Sequence, residues 1–268
     1  MHPVHAAFSF WAVGGMLVGC VIFARGFREL NVQRLVGNTP TAHVRSMAMG
    51  LVEISGSVEP RSLQIAPFSG HSCAYWQIEI DTGNAQKDSW RTVHRESSGS
   101  PFFLRDETGL AMIYPAGADF RIPYGTSEVC SGLMLPECYA QYFAERHLPM
   151  SALWRMGSMR FRERVLEEGA HVFVLGTATP KPEVHSIGDG DEFEKTGTDG
   201  DSWSAQVRRR SAETVALVRQ GESQKVFIIS QQSERDLALS IGLSAWAHLV
   251  GGPLLAVVSL AFLLGALH

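Results

Sequence analysis

Cys73-Ala74-Tyr75-Trp76-Gln77-Ile78-Glu79-Ile80 decides the class of this chain. After an aromatic start, Ile78 and Ile80 fall on one face and Gln77 and Glu79 on the other. That period of two belongs to a half-buried strand. Asp81-Thr82-Gly83-Asn84 follows with turn chemistry, and residues 90–95 are expected to return as the hairpin partner. Moving outward, residues 49–58 are apolar with Glu53 and Ser55 interleaved. Residues 102–104 and 110–114 flank the turn Asp106-Glu107-Thr108-Gly109. Residues 161–166 and 171–175 flank Glu167-Glu168-Gly169 and read as another hairpin, and residues 225–229 read as a further strand. The best helix of this region is 137–147. Short strands with regular turns predict a barrel or a sandwich.

Farther out, the chemistry changes. All the charged side chains, 23 Lys and Arg and 27 Asp and Glu, lie between Arg25 and Asp236. Residues 6–24 and 237–267 are apolar runs. A hydrocarbon core of about 30 Å needs about 20 helical residues. The first run meets that length, and Trp11 suits an interface. Only His2 and His5 precede it and Arg25-Gly26-Phe27-Arg28 follows, so it reads as an uncleaved anchor rather than a signal peptide. Residues 25–35 continue it as a helix. The second run would extend about 45 Å as a helix. It is interrupted by His248, Gly251, Gly252 and Pro253, with a core span at 249–267 and a lead-in at 241–247. His248 reads as interfacial, and Ser233-Glu234-Arg235-Asp236 fits a capping box at the helix start. Gly15 and Gly19 form a GxxxG whose partner would be another membrane helix, the C-terminal helix of the same chain first.

The fold class is therefore a β-rich α+β soluble module, with barrel- or sandwich-like strands and a helix, flanked by an N-terminal and a C-terminal transmembrane helix. The module spans residues 25–236. Arg25, Arg28 and Arg34 follow the first span and no Lys or Arg precedes it, which points to the cytoplasm for the module of a two-pass integral membrane protein, with the periplasmic side as the alternative.

Charge and motif narrow the function. The net charge of −4 gives no basic face for nucleic acid. Arg208-Arg209-Arg210 reads as a solvated edge. Cys20, Cys73, Cys130 and Cys138 show no CxxC spacing, so neither a zinc site nor a disulfide framework is expected. The acidic loop Gly188-Asp189-Gly190-Asp191-Glu192 lacks the EF-hand order because Phe193 falls at a ligand position. Gly70-His71-Ser72-Cys73-Ala74 is one residue short of a nucleophile elbow and runs into a strand, which leaves a membrane hydrolase using Ser72 or Cys73 as a remote alternative. No catalytic residue, cofactor or metal is expected.

Several stretches follow one another in a familiar order: Pro67-Phe68-Ser69-Gly70, Cys73-Ala74-Tyr75-Trp76, Pro101-Phe102-Phe103-Leu104-Arg105-Asp106-Glu107-Thr108-Gly109 and Pro115-Ala116-Gly117-Ala118. Arg160-Phe161-Arg162-Glu163 and Gly169-Ala170-His171-Val172-Phe173-Val174-Leu175-Gly176 come after them. In this the chain resembles the GIDE family, whose membrane-flanked region is also called the BAM (beside a membrane) domain. Mitochondrial and chloroplast members are membrane E3 ubiquitin ligases. In those ligases a zinc-binding RING follows the second span. The sequence given ends at His268 with no Cys/His pattern in its place. The resemblance thus implies a sensing or partner-recruiting role, with ligase activity as the alternative if a RING acts in trans. It also implies, for the mitochondrial members, a module facing the intermembrane space, against which the arginines here point to the cytoplasm. The expected partners are the lipid bilayer and a protein or peptide. The expected interaction surface is Pro67, Ser69, Gly70, Phe102, Asp106, Thr108 and Gly109.

Overall fold

In the computed structural model the described residues are 3–131, 135–148, 158–180, 206, 209–211, 213–222, 224–231 and 234–265. The acidic stretch 181–203, Arg208 and the capping Ser233 lie outside them. In chain order the elements are α1 (Pro3–Asn38), β1 (Gly50–Pro60), β2 (Gln64–Ile65), β3 (Ser72–Cys73), β4 (Tyr75–Asn84), β5 (Ser89–Ser97), β6 (Phe102–Arg105) and β7 (Leu110–Ile113). Then come β8 (Asp119–Arg121), β9 (Thr126–Cys130), α2 (Glu137–Glu145), β10 (Ser158–Leu166), β11 (His171–Pro180), β12 (Thr214–Arg219), β13 (Ile228–Ser230) and α3 (Glu234–Gly265). Two compact units result: α1 with α3, and Thr41–Gln231.

In the β-rich unit, the strands run β1-β6-β7-β12-β11, and β11 pairs back onto β1. The five strands close into a barrel, which removes the open edges a flat sheet would leave. β12 and β7 are parallel, and the other barrel pairs are antiparallel. Alternate residues point inward, so Ile54, Val58, Phe102, Leu104, Ile113, Val174 and Val218 share one core. Beyond the barrel, β11 also carries β13, which pairs in parallel with β8.

A second antiparallel sheet, β5-β4-β10-β9, is built from two excursions of the barrel chain. β4 and β5 lie between β1 and β6 in sequence, and β9 and β10 between β7 and β11. α2 covers one face. Its Tyr139, Tyr142 and Phe143 pack on Ile78, Ile80, Met159 and Phe161. Phe68 wedges edge-on between Tyr139, Tyr142 and Phe161, with ring centroids 5.0, 5.4 and 5.8 Å away.

Two local expectations are corrected. Asp81-Thr82-Gly83-Asn84 is not a turn but the end of β4. The chain reverses at Ala85–Lys87, where the Asn84 side chain accepts from the Gln86 and Lys87 N–H groups and Asp88 takes φ +45°. Gly83 is needed for close strand approach, since a Cβ there would lie 1.9 Å from the Ser89 carbonyl oxygen. The second correction concerns β10 and β11. They flank Glu167-Glu168-Gly169 but do not pair, because β10 runs beside β4 and β11 beside β1. Backbone bonds from Gly169 N to Val58 O and from Val58 N to Ala170 O draw the chain from one sheet into the other.

In the helical unit, α1 is one helix of 36 residues, so residues 25–35 do continue the first apolar run. Among the described residues one helix is long and apolar enough to cross a membrane, α3 over Ala245–Phe262. This window starts before the expected core at 249 and includes His248, whose Nδ1 lies 3.1 Å from Glu29 Oε2. Small residues let α1 and α3 approach. A Cβ on Gly15 would lie 2.4 Å from Ser259 Oγ, and one on Gly19 would lie 2.7 Å from the Gly252 carbonyl oxygen.

Candidate functional site

The face of the second sheet opposite α2 is a charged ladder set by strand register. β10 places Arg160 opposite Asp81, Arg162 opposite Glu79 and Arg164 opposite Gln77, and β5 places Arg95 opposite Glu79. Arg160 Nε donates to Asp81 Oδ2 at 2.9 Å. Arg162 Nη2 lies 2.9 Å from the same oxygen and 2.7 Å from Glu79 Oε2. Arg95 Nη2 reaches Glu79 Oε1 at 2.7 Å. Both carboxylates are buried and the arginines close over them. Burial pushes the Asp81 carboxyl up. The Thr92 hydroxyl, Arg160 and Arg162 outweigh it and hold the group below the usual carboxylate range.

Aromatic rings close the ladder. Trp90 lies over the Arg160 guanidinium at 4.6 Å, and Tyr124 over Arg162 and Arg164 at 4.5 and 4.1 Å. The Tyr124 hydroxyl donates to Glu79 Oε2 at 2.7 Å and accepts from Arg164 Nη2 at 2.7 Å. Burial, and then that bond to Glu79, raise the Tyr124 phenol above its ordinary value. Four guanidiniums thus face two carboxylates. This leaves a local positive excess on a chain of net charge −4.

Next to Tyr124 opens a cleft of about 340 Å³ lined by Ser69, His71, Ile122, Thr126, Val165 and Glu167 among others. Glu163 ties its rims together. Its buried carboxylate accepts from Phe68 N at 2.8 Å and Ser69 N at 3.0 Å, and its carbonyl accepts from Gly125 N at 2.9 Å. Gly70, at φ +69°, lets the loop fold back so that its N–H reaches Ala66 O at 2.9 Å. A larger open groove of about 670 Å³ lies at the far end of the sheet, lined by Thr82, Asn84, Trp90, Arg91 and others.

The residues expected on the interaction surface separate. Ser69 lines the cleft, and Pro67 and Gly70 belong to its loop. Phe102 is fully buried in the barrel core and takes no part in a surface. Asp106, Thr108 and Gly109 form a turn that holds the chain near Val44. Asp106 Oδ1 accepts from Thr108 N and Gly109 N, each at 2.8 Å, and Oδ2 accepts from Val44 N at 2.7 Å. Burial raises the Asp106 carboxyl, but these N–H groups and the Thr108 hydroxyl hold it below its ordinary value. Sequence reasoning missed Glu79, Asp81, Tyr124, Glu163 and the arginines. The signal available was the alternation of Arg160, Arg162 and Arg164 with apolar neighbours.

Cys73 is buried, and its thiol is pushed up to about 11 by burial and then by Glu163. It stays protonated near neutral pH, so it is a poor nucleophile. Among the described residues no group of three or more His, Cys, Asp or Glu could hold a metal ion.

Residues 79–193 match the sequence model of the GIDE family, described as E3 ubiquitin ligase. The match begins at one of the two buried carboxylates and takes in the arginine ladder, Tyr124 and β9. No curated protein and no solved structure matches the chain.

Proposed function

We propose, for a chain whose residues 79–193 belong to the GIDE family, that it is a membrane-anchored module which recruits a protein or peptide partner without catalysis of its own. The observation that carries this reading is the arginine ladder, which lies within the family-matched segment beside a cleft of about 340 Å³. A positive, aromatic-lined face with an adjoining polar cleft recognises charged groups and extended chain. α3, and α1 over residues 6–24, anchor the chain as a two-pass protein. Arg25, Arg28 and Arg34 put the β-rich unit on the cytoplasmic side.

The family description favours a second reading, ubiquitin transfer with a RING supplied in trans. One preparation separates the two. The full chain is purified in detergent after chemical crosslinking in its native membrane, then assayed for adducts, for zinc and for ubiquitin transfer with activating and conjugating enzymes. Recruitment predicts a reproducible protein adduct, no stoichiometric zinc and no transfer. Stoichiometric zinc or ubiquitin chains would favour the ligase, and a monomer with no adduct would count against recruitment.

A further inference from the structure

We propose that β9 accepts an extended acidic segment of a partner protein as an added strand, its alternate carboxylates turned toward the arginine ladder. The inference rests on the recruiting role and names the partner's chemistry.

The second sheet has two edges, β5 and β9. β5 is blunted by a register break opposite Ile80 and Asp81 and by the exposed side chains of Arg91 and Arg95. Bulges and edge charges of this kind discourage pairing. β9 has no such break, and its one charged side chain, Glu128, lies on the face opposite the ladder, beside Tyr139. It pairs with β10 from Thr126↔Glu163 to Cys130↔Met159 without a break. It contains no Lys, Arg or Pro, and Ser127, Glu128 and Val129 are exposed. Among the described residues its outer edge has no strand partner.

Register then sets what an added strand would meet. On the ladder face one row runs Arg95, Glu79, Arg162, Ser127, and the next runs Thr92, Asp81, Arg160, Val129. β9 therefore offers only a small polar side chain and a neutral one between the β10 arginines and the edge. Strands lie about 4.8 Å apart, so an added strand would stand about 10 Å from β10. An arginine and a glutamate extending toward each other across β9 span that gap. The guanidiniums carry charge in excess, since four face two carboxylates. The other face of β9 carries Glu128, which accepts from the Tyr139 hydroxyl at 2.6 Å. Acid is disfavoured there, so the segment would alternate acidic with neutral or basic residues.

A second copy of this chain is a poor occupant. Two β9 strands paired about a two-fold axis would set two positively charged faces side by side. The cleft fixes where the added strand ends. Thr126, the first residue of β9, is one of its lining residues, so one end of the strand would lie beside Ser69 and His71.

The test uses the full chain in detergent micelles and a fluorescein-labelled, terminally blocked peptide of four Glu-Thr repeats, read by fluorescence anisotropy. The expected result is binding more than about tenfold tighter than that of a Lys-Thr peptide. A Glu-Thr peptide N-methylated at every residue keeps its charges but has no N–H to donate on either edge, so it cannot pair as a strand and should bind about tenfold more weakly or worse. Val129→Glu sets a carboxylate at the exposed edge and should also weaken binding about tenfold, with an unchanged thermal unfolding midpoint. Equal binding of the N-methylated peptide overturns strand addition, and equal binding of the Lys peptide overturns the acidic partner. A disulfide-linked dimer formed by Ser127→Cys in the absence of peptide, and not by the unsubstituted chain with its exposed Cys20 and Cys138, overturns the proposal in favour of a second copy. If Val129→Glu keeps its native-membrane adduct while the Glu-Thr peptide fails to bind, this inference falls and recruitment stands. If the unmodified chain gives no adduct, recruitment falls, and the peptide result alone judges the edge.

Discussion

Asp106→Asn is the substitution whose consequences the structure specifies most fully. One carboxylate oxygen holds the turn through Thr108 N and Gly109 N, and the other holds Val44 N at 2.7 Å from a distant part of the chain. The side chain is 10% exposed and Val44 is fully buried. Asparagine keeps one acceptor, so its NH₂ must face one of these N–H donors. The lost charge-assisted bond is worth about 1.5–3 kcal/mol, and the orphaned donor brings the net cost to about 2–4 kcal/mol. The pH dependence has a definite sign. The folded-state pKa of Asp106 lies below its ordinary 3.8. Its stabilisation is therefore fully present above pH 3.8 and is lost as pH falls through the lower folded value. Urea unfolding followed by tryptophan fluorescence should show the full gap between the two proteins at pH 7 and a narrowing gap on strong acidification. A difference below about 0.5 kcal/mol at pH 7, or a gap that does not change with pH, would refute the assignment of Asp106 to the turn.

Four further outcomes are expected. Arg162→Ala leaves Glu79 and Asp81 short of their shared cation and should cost about 3 kcal/mol in the same unfolding assay. Arg95→Ala, at a side chain 60% exposed, should cost under about 1 kcal/mol, and equal costs would contradict the ladder. Gly19→Val puts a Cβ 2.7 Å from the Gly252 carbonyl oxygen, whereas Gly14 has nothing within 4 Å. Spin labels on exposed Leu17 and Leu254 should therefore move apart for Gly19→Val and not for Gly14→Val. Iodoacetamide at pH 8 should modify exposed Cys138 and spare Cys73 until denaturant is added, as read by mass spectrometry. A labelled Cys73 in folded protein would contradict its burial.

The sequence made strands legible wherever one face is apolar and the other polar, because that alternation survives any tertiary arrangement. Gln77 to Ile80 and the turn Asp106 to Gly109 were read this way and stand. The hairpins of 73–80 with 90–95 and of 102–104 with 110–114 were legible, but which strands distant in sequence share a sheet was not. Glu167-Glu168-Gly169 has hairpin chemistry, yet Val58 takes its backbone bonds and sends β11 into the barrel. Asp81 looked like a turn former because Asp is exposed far more often than buried. Here three side chains, Thr92, Arg160 and Arg162, satisfy it in the sheet. The ladder was hidden for the same reason. Its parts lie some 80 residues apart, as with Arg160 and Asp81, and only register brings them together. Ser69 was found because its loop carries local turn residues. Glu163, which positions that loop, looks like any surface Glu within an Arg-rich strand.

The central claim, a recruiting surface at the edge of the second sheet, is tested most directly by photo-crosslinking in native membranes. A photoreactive amino acid is placed at Ser127, on the exposed β9 edge, and in a parallel chain at Glu107, exposed on the β6–β7 turn. The account predicts a discrete protein adduct from position 127 and none from position 107. Adducts of equal yield from both, or none from position 127 in a correctly folded chain, would contradict it.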